Sequence, residues 1–135
     1  MAHQLNFEKL LDYDIGDAGV SLDVNLTINS QTVVVKTKID TGSSYCIFDR
    51  ATGEALGIDI KSGTPERIGT VVGSFLVYGH SLTLNTAGFE FDSFVFFAAD
   101  ESFKRNVPGR FGWLDRVIIG LVDYEGKLYL SRYSE

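Results

Sequence analysis

The sequence has few of the residues that metal centres, disulfide frameworks and membrane spans require. Its 135 residues include one cysteine, Cys46, and two histidines, His3 and His80, which lie far apart in the chain. A single cysteine excludes an intrachain disulfide, and these three residues have no recognisable metal-ligand spacing. No run of about eighteen apolar residues predicts a transmembrane helix. We therefore expect no metal, no cofactor and no membrane contact by this chain.

Basic residues are also scarce. The 12 Lys and Arg are outnumbered by 18 Asp and Glu, which gives a formal net charge of −6. A phosphate backbone attracts clustered lysines and arginines, and no such cluster occurs, so we expect no nucleic-acid partner. The start of the sequence lacks the basic and apolar regions of a signal peptide. These features predict a cytoplasmic protein, or a soluble domain of a larger one.

Aromatic and β-branched residues are frequent, and their pattern favours strands. Residues 21 to 28 alternate between apolar and polar side chains, residues 31 to 39 are rich in β-branched residues, and Asn29-Ser30 between them predicts a hairpin turn. Further strands are predicted at 45–48, 67–72, 74–78, 81–85, 89–97, 117–124 and 127–132, and short helices at 49–57 and 111–116. So many short strands predict an all-β fold closed into a barrel or built as a sandwich.

The tripeptide Asp40-Thr41-Gly42 follows the apolar strand that ends at Ile39. Glycine permits a tight turn there, which would present the carboxylate on a rigid base, although an ordinary β-turn uses the same residues. Hydrolysis by carboxylates needs two of them, close enough to share one proton and to hold a water between them. The motif occurs once. The chemistry therefore predicts a homodimer in which Asp40 meets its symmetry mate on a two-fold axis.

Two segments carry a family resemblance. The run Ile39–Ser44, a glycine-tipped hairpin, and then Asn106–Arg116 resemble the retropepsin-like aspartic proteases in order and spacing, especially the single-lobed bacterial members, over roughly residues 20 to 132. The resemblance implies a small closed acid-protease barrel with one or two short helices, each chain supplying half of a two-fold symmetric active site. It implies a protease domain at 21–135, preceded by an N-terminal extension or interface segment at 1–20. Retroviral members interleave their termini in one sheet. Residues 1–20 of this chain could form a strand, a short helix or an extension that docks elsewhere.

The resemblance also implies a role for each residue of the first segment. Asp40 is the catalytic acid, and the Thr41 hydroxyl bonds across the dimer axis. Gly42 lets the substrate backbone approach. The Ser43 hydroxyl donates to the carboxylate of Asp40 and favours its ionised form.

The later segments would complete the site. The hairpin expected to close over the substrate as a flap has its tip at Val72, Gly73 and Ser74. Gly109 would pack under the active-site loop, with Arg110 bonding within or across subunits. Ser44 stands where retroviral members carry the acid that pairs with this arginine, so Asp49 or Asp115 is the expected partner.

The function implied is that of an aspartic endopeptidase, a homodimer that hydrolyses extended peptides through a water activated between two Asp carboxylates. The alternative is a catalytically silent binding or dimerisation module with the same fold. A phosphate-binding hairpin of the sugar-kinase and actin-like type also uses Asp-x-Gly-Ser, but that fold needs a second hairpin and lobe, for which 135 residues leave no room.

Two other features have simpler interpretations. Cys46 lies among apolar residues and is expected to be a small buried hydrophobe. The stretch from Asp12 to Asp17, with Asp23 after it, has some features of a calcium loop. Its glycine falls one position early for that motif, so a solvated acidic loop is the expected structure.

Overall fold

Strands make up most of the computed structural model, which describes residues 1–133. The strands are β1 Lys9–Asp12, β2 Ser21–Ile28, β3 Gln31–Lys38, β4 Ile47–Phe48, β5 Thr64–Thr70, β6 Gly73–Thr86, β7 Phe89–Ala98, β8 Val117–Val122 and β9 Lys127–Arg132. One α-helix, α1 Arg50–Ala55, is joined by short 3-10 helices at Ile60–Ser62, Leu114–Arg116 and Asp123–Glu125. The all-β class is confirmed. No helix within 1–133 combines the length and apolar character that crossing a bilayer requires.

The strands form two sheets, so the predicted closed barrel is wrong. The larger sheet has the order β3-β2-β6-β7-β4, with β5 also paired to β6, and the smaller sheet has the order β1-β9-β8. In the described part of the chain, the outer strands β3 and β4 do not pair with each other. The long strand β6 pairs with β7 over most of its length, and also with β5 near its start and β2 near its end.

The first long hairpin forms as the sequence pattern predicts. Leu22, Val24 and Leu26 are buried on one face of β2, and Ile28 pairs with Gln31 at the end of the hairpin. The two turn residues, Asn29 and Ser30, both have positive φ values of 50° and 67°. Positive φ values at both central residues are typical of a type I′ turn, whose twist matches the right-handed twist of the two strands. Strand β3 then carries the chain directly to Asp40.

Two predicted strands merge into β6. The segments predicted at 74–78 and 81–85 are parts of one continuous strand that passes through Gly79. This glycine is buried, and a Cβ there would lie 2.4 Å from the ring of Phe94 on the neighbouring strand. Gly79 therefore permits close packing between strands and does not end one. The helix predicted at 111–116 is reduced to the 3-10 helix Leu114–Arg116.

The apolar interior has two clusters, and the smaller one supports the Asp40 turn. The larger cluster packs β2, β6 and β7 around Trp113 and Phe48, both fully buried. The smaller cluster has as its buried members Ile47, Val77, Phe96, Ala98 and Val107. Ile68 and Phe75 of the β5-β6 hairpin pack against it. The hairpin is thus tied to the same apolar group as the segments beside Asp40.

Candidate active site

The turn that follows β3 holds Asp40 through its own backbone. The Gly42 amide donates to Asp40 Oδ1 at 3.0 Å, and the Ser43 amide donates to the Asp40 carbonyl at 3.1 Å. A carboxylate that accepts from an amide two residues later is a typical Asx turn. A Cβ on Gly42 would lie 3.3 Å from Asp40 Oδ1, which leaves little room for any other residue. The Asp40 side chain remains 37% exposed, so it is fixed in place and still open to solvent.

The second motif follows β7 in the chain but lies in space between β3 and β4, where its backbone contacts the Asp40 turn. The Asp40 amide donates to the Pro108 carbonyl at 3.2 Å, and the Arg110 amide donates to the Ser43 carbonyl at 2.9 Å. Val107 exchanges two backbone hydrogen bonds with Ile47, at 2.8 and 2.9 Å. The proline at position 108 has no N–H to give, and the loop uses its carbonyl instead. Two segments sixty or more residues apart in the chain are therefore joined by main-chain contacts.

Gly109 lies directly against the active-site loop. A Cβ there would lie 2.2 Å from the Tyr45 carbonyl oxygen and 2.7 Å from that of Ser43. No side chain fits at those distances, so the close approach depends on glycine. The Gly109 amide donates to Cys46 Sγ at 3.3 Å.

The Ser43 hydroxyl has a different partner from the one expected. It donates to the Tyr45 carbonyl at 2.7 Å, and no bond from it to the Asp40 carboxylate is found within the described residues. The Tyr45 carbonyl is the oxygen that Gly109 approaches, so the hydroxyl satisfies a half-buried acceptor inside the loop. In the protomer, the donors to the carboxylate are the Gly42 amide and an arginine described below.

Arg110 also departs from expectation, because neither predicted acid pairs with it. Asp49 caps α1 by accepting from the Thr52 amide at 2.9 Å, and Asp115 accepts from the Gly112 amide at 3.1 Å. The Arg110 side chain is exposed, and its guanidinium lies over the Phe111 ring at 5.5 Å. Both acids instead accept hydrogen bonds from backbone amides within three residues of themselves.

The hairpin of β5 and β6 faces the turn across a cleft. Its tip is Val71-Val72, one residue before the predicted tip Val72 to Ser74, because Gly73 already pairs with Thr70 as the first residue of β6. Gly73 has a φ of 145°, a conformation that favours glycine. The cleft has a volume of about 340 Å³, and Asp40, Ser44 and Tyr45 line one side while Ile68, Thr70 and Phe75 line the other.

This arrangement of turn, hairpin and bracing loop agrees with the comparison against family models. A family model described as aspartyl protease matches residues 24–121, which is more than half of the chain. The chain belongs to the aspartyl protease family. Among curated proteins, a search finds no significant match.

Solved structures place this aspartyl protease family chain with the retropepsin-like fold. A retropepsin-like aspartic protease from Rickettsia conorii aligns with a TM-score of 0.61 and 19% identity, covering 82% of this chain and 89% of that one. EIAV protease bound to an inhibitor aligns with a TM-score of 0.55 and 17% identity, covering 74% of this chain and 88% of that one. The retroviral protease-like domain of Ddi1 from Leishmania major aligns with a TM-score of 0.54 and 21% identity, covering 87% of this chain and 97% of that one. At these identities the likeness establishes the fold.

Among the residues of the aspartyl protease cleft that the sequence reasoning missed, Arg105 is the one that contacts the Asp40 carboxylate. Its Nη2 atom lies 3.4 Å from Asp40 Oδ2, and its side chain is 64% exposed. The Lys38 amide donates to the carbonyl of the next residue, Asn106, at 3.0 Å, which brings position 105 beside the end of β3. A single arginine 65 residues after the Asp-Thr-Gly motif gives no periodic or spacing signal. Its position immediately before the second motif is the one feature that could have suggested it.

The remaining candidates do not bring chemistry to the cleft. Cys46 is fully buried, and burial raises the pKa of its thiol to about 12, so the sulfur is held as a thiol. A larger cavity of about 700 Å³ elsewhere contains four aspartates, of which Asp12 and Asp17 pair with Lys127 and Lys36. Over residues 1–133, no three His, Cys, Asp or Glu side chains are grouped closely enough to hold a metal ion.

Proposed function

We propose that this chain is an aspartic endopeptidase that acts as a homodimer on extended peptides. The observation that carries the proposal is the Asp40 carboxylate, which accepts from the Gly42 amide and is open to a cleft under a hairpin. The Asp40 backbone amide also donates to the Pro108 carbonyl, which fixes the turn itself. An isolated carboxylate on a flexible loop needs none of this bracing. A catalytic carboxylate does, because small errors in position reduce the rate strongly.

The reaction requires a second carboxylate, which the proposal assigns to Asp40 of the other subunit. The pair shares one proton. The ionised carboxylate takes a proton from water as the water oxygen attacks the peptide carbonyl carbon, and the protonated carboxyl gives its proton to the carbonyl oxygen. The carboxyl that took the water proton then gives it to the peptide nitrogen. The other carboxylate takes a proton from a hydroxyl of the tetrahedral diol as the carbonyl re-forms and the C–N bond breaks, so the pair again holds one proton. No covalent enzyme intermediate forms.

The Thr41 side chain supports an assembly at this turn. It is exposed, and its hydroxyl makes no hydrogen bond to any residue between 1 and 133. A hydroxyl beside the proposed axis is available to bond across it. We assign the protease domain to residues 21–135, of which 134 and 135 lie outside the described residues, and treat residues 1–20 as an N-terminal extension. Strand β1 of that extension pairs with β9 of its own chain.

The direct test is cleavage of a denatured protein and of a fluorogenic peptide library by the purified chain, from acidic to neutral pH. We expect peptide fragments, and we expect a statine-type peptide inhibitor to suppress them. Asp40→Asn should abolish cleavage with an unchanged circular dichroism spectrum, since the amide has nearly the same shape but cannot accept the proton of the water. Asp23→Asn, which removes an exposed carboxylate on β2, is the matched control and should retain activity.

The outcomes separate the two candidate functions. Cleavage that persists in Asp40→Asn would refute the mechanism. Peptide binding without cleavage by the wild-type chain would favour the catalytically silent binding module.

A further inference from the structure

The cleft beside Asp40 is positively charged in a protein that is negatively charged overall. Two arginines line it, Arg67 and Arg105, and Asp40 is its only carboxylate among the described residues. The whole chain, in contrast, carries a formal net charge of −6. A cleft of one sign concentrates ligands of the opposite sign. The distribution therefore indicates an anionic group in the bound peptide.

Both guanidinium groups have hydrogen-bond donors to spare. Arg105 gives one N–H to Asp40 at 3.4 Å, and Arg67 gives one to the Ser74 hydroxyl at 3.1 Å. Each arginine has five N–H donors, and within residues 1–133 no other protein acceptor is found for these two side chains. The planar fork of arginine matches a carboxylate, with which it forms paired, charge-assisted hydrogen bonds.

The two arginines approach the cleft from different elements. Arg67 lies on β5, in register with Leu76 of β6, and so belongs to the hairpin. Arg105 lies in the loop before the second motif, beside the Asp40 carboxylate. A peptide extended between the turn and the hairpin would have its scissile bond at Asp40, and its neighbouring side chains would follow at about 3.4 Å per residue. An acidic side chain close to that bond would therefore meet one or both guanidinium groups.

We propose that Arg67 and Arg105 make the cleft selective for peptides with an Asp or Glu side chain within two residues of the scissile bond. This inference rests on the proposed proteolytic function of the same cleft. The contact between Arg105 and Asp40 is a single long bond between exposed groups, and such pairs contribute little to the stability of a fold. A substrate carboxylate enclosed by the hairpin would be a stronger partner, and would draw the guanidinium away from the catalytic oxygen.

The experiment compares two library peptides of the same sequence that differ only by Glu or Gln next to the central peptide bond. We expect the wild-type chain to cleave the Glu peptide with a kcat/KM about tenfold higher, the effect of one charge-assisted hydrogen-bonded pair. Arg67→Gln and Arg105→Gln should each reduce this ratio, and the double variant should bring it close to one. Lys61→Gln removes the same charge from the exposed 3-10 helix Ile60–Ser62, outside the cleft, and should leave the ratio unchanged.

A binding measurement separates this inference from the proposed function. Statine-containing versions of the two peptides cannot be cleaved, and fluorescence polarisation gives their affinities for the wild-type chain and for Asp40→Asn. Tighter binding of the Glu version by a chain that leaves both unmodified peptides uncleaved would support the acidic preference and contradict the proposed proteolysis. Equal affinities would overturn the acidic preference, whether or not the chain cleaves peptides. A loss of activity in Arg105→Gln that is equal for both peptides would also overturn it, since Arg105 would then act on Asp40 and not on the substrate.

Discussion

Gly109 lies so close to Tyr45 that a Cβ atom at position 109 would be 2.2 Å from the Tyr45 carbonyl oxygen. This contact joins the loop of the second motif to the loop that carries Asp40, backbone against backbone. Because a carbonyl oxygen belongs to the main chain, neither side can move without displacing its own segment. The position of the Asp40 turn therefore depends on the absence of one methyl group.

We predict that Gly109→Ala destabilises the fold and impairs the site together. Overpacking of this kind should lower the free energy of unfolding by about 1–3 kcal/mol, measured by chemical denaturation. Activity should fall further than stability explains, since the displaced segment bears on the Asp40 turn. Gly69→Ala is the control for stability, because nothing lies within 4 Å of a Cβ there. Equal effects of the two substitutions would contradict the role given to Gly109.

Ser43→Ala should act on stability and not on the pH profile. The Ser43 hydroxyl donates to the Tyr45 carbonyl, so its removal should lower the free energy of unfolding by about 0.5–1.5 kcal/mol. The acidic limb of kcat/KM against pH should stay in place, because this hydroxyl does not contact the Asp40 carboxylate. Ser44→Ala, whose exposed side chain makes no hydrogen bond within the described residues, is the matched control. A shifted acidic limb would show that the hydroxyl turns to Asp40 in the active assembly.

Mixing subunits tests the shared active site. If each chain supplies one carboxylate, an equal mixture of wild-type and Asp40→Asn subunits should retain about one quarter of the wild-type activity after exchange, the fraction of dimers with both acids. Independent sites would leave about one half. Activity should be followed at a fixed total concentration, with Asp23→Asn replacing Asp40→Asn as the control mixture, which should show no loss.

Thr41→Ala should weaken the dimer with little effect on the folded protomer. The exposed hydroxyl is proposed to bond across the axis, and an unsatisfied partner there should raise the free energy of dimerisation by about 1–3 kcal/mol. Analytical ultracentrifugation over a dilution series measures this change. Thr41→Ser keeps the hydroxyl and should restore association. Identical dissociation constants for the Ala variant and the wild-type chain would exclude the cross-axis bond.

Cys46 should resist alkylation in the native protein. Its pKa is raised to about 12 by burial, so at pH 8 the sulfur is held as the thiol, and the folded chain also blocks access. Iodoacetamide followed by mass spectrometry should find the native chain unmodified and the chain in denaturant fully modified. Rapid native labelling would show that the two segments paired at Tyr45 and Phe111 separate in the folded protein.

The parts of the fold that could be predicted from the sequence are those determined by interactions between residues close together in the chain. The alternation in β2, the turn at Asn29-Ser30 and the glycine beside Asp40 each depend on neighbours within a few residues, and all were predicted. The continuity of β6 through Gly79 was not, because the reason for that glycine is the Phe94 ring on another strand.

The candidate site divides in the same way. The sequence indicated Asp40 and the loop around Gly109, whose spacing follows a family pattern. The partner of the Ser43 hydroxyl and the approach of Arg105 to Asp40 depend on how distant loops are brought together. The open sheets were likewise missed, since strand lengths and glycine spacing do not fix which edges meet.

Strand β9 has a neighbour from its own chain on each side, β1 on one and β8 on the other. A partner cannot insert a terminal strand beside β9, as retroviral members do, without first displacing β1. Both neighbours of β9 thus come from the same chain, and this pairing requires no strand from a second chain. Under the proposed mechanism, the meeting of two Asp40 residues is a later, second-order step. The concentration of the chain would then set how much of the folded protein is active.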